Sequence, residues 1–134
     1  KATESLKSIV ADLDDDNRKD LIINALFIRA TLYRETSDFS KAHRDLQDVY
    51  NIALIGNFRL YLTDYHLEMA RLLLKQWQQQ LLDDSAQAEI QNHIASAVKL
   101  INETGYHRRD TEVEALIGPS QTTQHKQKKW SEEW

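Results

Sequence analysis

Along most of this chain apolar residues recur at i, i+3, i+4 and i+7, the spacing of one helix face, and strand-like alternation is sustained nowhere. Three Gly and one Pro are spread through 134 residues, so little interrupts a helix once it has started. The pattern therefore predicts an all-α fold. A first stretch carries Leu6, Ile9, Val10 and Leu13, and a second Ile22, Ile23, Leu26, Ala30 and Tyr33. A third carries Phe39, Ala42, Leu46, Val49, Tyr50 and Ala53, and a fourth Leu62, Tyr65, His66, Met69, Ala70 and Leu73. Ile90, Ile94, Ala97, Val98 and Ile101 mark a fifth, and a short sixth holds Val113, Leu116 and Ile117.

Punctuation supports this division. Glu35-Thr36-Ser37-Asp38 is a polar turn that allows only an antiparallel hairpin between the second and third helices. Gly56, Gly105 and Gly118 each fall where a helix should stop, and Pro119 follows the last of them. Asp110 and the capping-box spacing of Thr111-Glu112-Val113-Glu114 mark the start of the sixth helix. We expect a helical domain over residues 1–118. Residues 119–134 read as a flexible polar tail, with Lys126, Lys128 and Lys129 preceding Trp130 and Trp134.

Composition excludes several classes of function. A formal charge of −4, with Lys and Arg interspersed among Asp and Glu, gives no field to attract nucleic acid or an anionic membrane. The absence of Cys removes disulfides, thiolate metal sites and a cysteine nucleophile. There is no Gly-x-Ser-x-Gly, phosphate-cradling loop or Gly-rich nucleotide fingerprint, so neither an enzyme nor a small-molecule substrate is expected. No apolar run is long enough to span a bilayer and the amino terminus has no signal-peptide core, which makes the cytoplasm the default location. Because the chain enters a helical pattern at once and without Met, we expect a piece of a longer polypeptide.

The two hairpins are self-similar. Leu26-x-x-Arg29-Ala30-x-x-Tyr33 aligns with His66-x-x-Met69-Ala70-x-x-Leu73 at an offset of 40, and Ala42-x-x-x-Leu46-x-x-Val49 with Ile90-x-x-x-Ile94-x-x-Ala97 at 48. The second hairpin therefore holds about eight extra residues near Trp77-Gln78-Gln79-Gln80-Leu81-Leu82-Asp83-Asp84-Ser85. Ala30 and Ala70 are small enough to let helices approach closely.

These residues resemble the tetratricopeptide repeat, with Ala30 at the family's small position, Tyr33 at its tyrosine, Ser37-Asp38-Phe39 at its turn, and Ala42 and Leu46 at its Ala-x-x-x-Phe. Arg29 and Leu26 depart from it, standing where the family prefers Leu and Trp. The resemblance implies antiparallel hairpins stacked as a short α-solenoid of about two and a half repeats. The closing stretch from Ala97 to Asp110 resembles the end of bacterial tetratricopeptide arrays that follow an effector domain.

By position, that family's groove would be lined here by Asn24, Phe27, Thr31, Arg34 and Glu35, and by Asp64, Leu67, Arg71, Leu74 and Lys75. The resemblance implies a non-catalytic module that binds a protein or peptide and can self-associate through its end faces, with no cofactor. The alternative is a sensor or oligomerisation arm regulating an attached bacterial ATPase or other effector. Trp130 and Trp134 are candidates for docking on a groove.

His43, His66, His93, His107 and His125 show no i, i+4 pairing, so we expect structural histidines and no metal, with His66 a half-buried packing residue. His107-Arg108-Arg109 could hold an anion beside the next helix start, although a plain charge cluster is the simpler reading. Asp14-Asp15-Asp16 and Asp83-Asp84 read as solubilising loop acids.

Overall fold

The computed structural model describes the backbone of residues 15–121 and the side chains of residues 17–121. The Leu6 to Leu13 stretch, Asp14 and the tail tryptophans lie outside the described residues. Every regular element among those described is helical: α1 (Asp15–Glu35), α2 (Phe39–Gly56), α3 (Arg59–Gln78), α4 (Ser85–Thr104), a 3-10 turn at His107–Arg109, and α5 (Asp110–Gln121). The chain divides into two compact units between Asn57 and Phe58.

In the first unit α1 packs on α2. Their turn is closed by Ser37, whose φ of 62° is left-handed. The Asp38 N–H then reaches back to the Tyr33 carbonyl at 2.8 Å and the Ser37 N–H to Arg34 at 3.1 Å, which satisfies the last carbonyls of α1. Ile23 and Ala30 from α1 are buried with Phe39, Ala42, Leu46, Val49 and Ala53 from α2. Each large aliphatic among them contributes about 1.5–3 kcal/mol on burial.

Arg29 explains its own departure from the repeat pattern. It donates Nε and Nη2 to the two oxygens of Asp45 on α2, at 2.8 and 2.7 Å. Asp45 is only 2% exposed, and the two-pronged contact is what allows a carboxylate there. Because Arg29 and Asp45 lie equally far from the turn, the bond also fixes the antiparallel register.

The second unit is a hairpin with a helix laid on it. Arg59 with Glu103, His66 with His93 and Trp77 with Asp84 nest around the connecting loop, as an antiparallel pair requires. The Trp77 indole N–H donates to Asp84 at 3.1 Å while its ring is buried. The enlarged stretch is thus longer helices and a six-residue loop, closed by Gln80 at φ 62°. α5 packs on both α3 and α4. Ala70, Leu72, Leu73, Ile90, Ala97, Ile101, Val113 and Leu116 are among the residues buried here.

Two glycines depart from their expected roles. α2 runs through Gly56, and the left-handed cap is Asn57 at φ 56°. α5 continues past Gly118 and takes Pro119 into its last turn. That turn is held from outside the backbone ladder: the Gln87 amide on α4 donates to the Ser120 carbonyl at 2.9 Å, and the buried Ser120 hydroxyl donates to Ile117 at 2.9 Å. Gly105 alone of the three adopts the expected left-handed cap, with φ 76°.

Candidate functional site

The residues predicted to line a groove fall into two groups with different surroundings. On α3, Asp64, Leu67, Arg71 and Leu74 share one face, and the unit's own carboxy-terminal elements engage it. Leu67 is 1% exposed and Leu74 is buried. Arg109 donates to Asp64 at 3.1 Å. Glu112 receives both Arg109, at 2.5 Å, and Arg71, which also pairs with Glu68. This corrects the expectation of an open groove on α3: Leu67 is core, and Asp64 and Arg71 are engaged internally. Lys75, nearer the end of α3, is half-buried.

The electrostatics follow from this packing. Burial raises the Asp64 pKa, although Arg109 opposes the shift. Burial also works against Glu112, but there the hydrogen bonds and charges of Arg109 and Arg71 prevail and hold the carboxyl below its usual range. Arg109, partly desolvated, is pushed up by Glu112 and Asp64. The anion reading of His107-Arg108-Arg109 therefore gives way to a charge cluster. Arg109 is matched by carboxylates, His107 Nδ1 lies 3.0 Å from Asp110, and Arg108 sits 5.4 Å over the Tyr106 ring. Asp83 and Asp84 act locally too, Asp83 accepting from the Ser85 N–H at 3.0 Å and Asp84 from Trp77.

α1 has a different outer face. Asn24 is exposed, Phe27, Thr31 and Arg34 are half-buried, and Glu35 is exposed. Between them stand Ile28, 65% exposed, and Leu32, 60% exposed, one turn apart. Neither was among the predicted groove residues. The signal for them was that α1 is apolar on more than one side, which in a helix calls for partners on more than one side.

A second arrangement was not foreseen. His66 on α3 and His93 on α4, both half-buried, bring their Nδ1 atoms to 2.9 Å, with ring centroids 5.2 Å apart. The Tyr65 ring stands edge-on to both, at 5.0 and 5.9 Å. Burial, reinforced by His93, lowers the His66 pKa to about 4. In that contact one Nδ1–H donates and the other Nδ1 accepts.

No family, curated protein or solved structure matches this chain. What it does must be argued from its own surfaces. Among the described residues, no helix is long and apolar enough to cross a membrane.

Proposed function

We propose that the chain is a non-catalytic protein-interaction module of tetratricopeptide-like helical hairpins, acting in the cytoplasm, and that it binds a protein or peptide partner along the outer face of α1. The observation that carries this reading is the exposed pair Ile28 and Leu32, one turn apart on a helix whose opposite side is already buried against α2. Full burial of two such side chains is worth at most about 3–6 kcal/mol, enough to anchor a partner helix when polar groups such as Asn24 and Thr31 flank the contact. Two antiparallel hairpins, with Ala30 and Ala70 buried at equivalent positions, support the repeat architecture.

The test uses the full chain and an Ile28→Lys/Leu32→Lys variant as parallel baits. Any captured protein is then purified and its affinity measured against both. The reading expects a partner whose binding is lost in the variant while helicity is unchanged; equal affinity for both baits overturns it. Sedimentation equilibrium on the same pair recognises the oligomerisation arm instead, as a wild-type dimer that the variant converts to monomer.

A further inference from the structure

The histidine pair is a contact that neither the packing nor the interaction surface requires. Two imidazole nitrogens from facing helices converge at 2.9 Å, and the α3–α4 hairpin that carries them is fixed by Arg59–Glu103 near one end and Trp77–Asp84 at the other. With metal–nitrogen bonds of about 2.0–2.1 Å, two nitrogens at this separation subtend an angle of about 90° at an ion. That is the cis angle of square-planar or tetragonal coordination, the geometry favoured by Cu(II) and Ni(II) with nitrogen and oxygen donors. A tetrahedral ion would need the nitrogens about 3.3 Å apart.

We propose that His66 and His93 form a cross-helix chelate for a late divalent transition-metal ion of the Cu(II) or Ni(II) class. The ion sits off the line joining the two Nδ1 atoms. The ring that donates Nδ1–H in the metal-free pair moves that proton to Nε2, so both Nδ1 lone pairs face the ion with no net proton released. No cluster of three or more His, Cys, Asp or Glu side chains able to hold a metal occurs among the described residues. Water therefore completes the coordination, and the half-buried position of both rings leaves it access. Such a two-nitrogen site clamps α3 to α4.

The experiment titrates Cu(II) into the purified full chain, with its amino terminus acetylated, in a non-coordinating buffer at pH 7. The proposal expects one equivalent bound, a rise in melting temperature, and an affinity at least about tenfold weaker in either His66→Gln or His93→Gln but not in His43→Gln. Absence of that equivalent, or its persistence in both variants, overturns the proposal. Should the variants fold poorly, sub-stoichiometric Cu(II) added to the wild-type chain decides by NMR: the imidazole signals of His66 and His93 must broaden first, and earlier broadening at other histidines overturns the assignment.

Discussion

Acidification should weaken the fold through His66 before the carboxylates matter. The group titrates near 6.5 in the unfolded chain and at about 4 in the folded one, because burial and His93 both disfavour its charged form. Between these values the unfolded state binds more protons, so stability is complete above about pH 7 and falls as pH drops toward 4. At about 1.36 kcal/mol per pH unit the ceiling is about 3.4 kcal/mol, but His66 is only half-buried, and screening reduces the expected loss to about 1–2 kcal/mol. The assay is urea unfolding of the wild type and His66→Gln at pH 7.5, 6.5, 5.5 and 4.5. Subtracting one pH profile from the other removes the contributions of the titrating groups that do not touch His66. The difference should open by about 1–2 kcal/mol between pH 6.5 and 4.5, and parallel profiles would refute the reasoning.

Other substitutions probe the packing. Leu67→Ala should cost about 2–4 kcal/mol, whereas Ile28→Ala, at an exposed site, should change stability by less than about 0.5 kcal/mol; paired urea midpoints read both. Arg29→Met strands the buried Asp45 carboxylate and should cost about 2–3 kcal/mol, and an Arg29→Met/Asp45→Leu double variant should recover part of that in a mutant cycle. Gln80→Gly relieves a left-handed residue that has a Cβ and should raise stability by about 0.5–1 kcal/mol in urea unfolding.

Much of the helical seam was legible because it depends on local periodicity. Phe39, Ala42, Leu46, Val49 and Ala53 repeat at helix spacing and are all buried, as are Ala30 and Ala70. What escaped were contacts set by the register between helices. Arg29 and Asp45 are 16 residues apart, and His66 and His93 are 27 apart. Nothing in either local sequence says that they meet until loop length has fixed which turn faces which. Gly118 and Pro119 misled for a similar reason, since a hydrogen bond from Gln87 on another helix overrules a local stop signal. Leu67 and Leu74 were assigned to a groove by analogy with repeats whose first helices stay open; here α5 packs on the helix that carries them.

The layering of the second unit also sets a hierarchy in time. α3 packs on both α4 and α5 and carries the largest share of the unit's buried side chains, so exchange of its central amides with solvent requires more than one neighbour to detach, and these should be the slowest protons of that unit. α5 is the outer member and the turn that holds Ser120 includes a proline that donates nothing to the ladder, so opening should begin around that turn and run inward. Amides around Leu67 and Ala70 would then outlast those near Ser120 in a deuterium-exchange series. Fraying of α5 would be the first event, and the one that briefly lays bare the charges it covers.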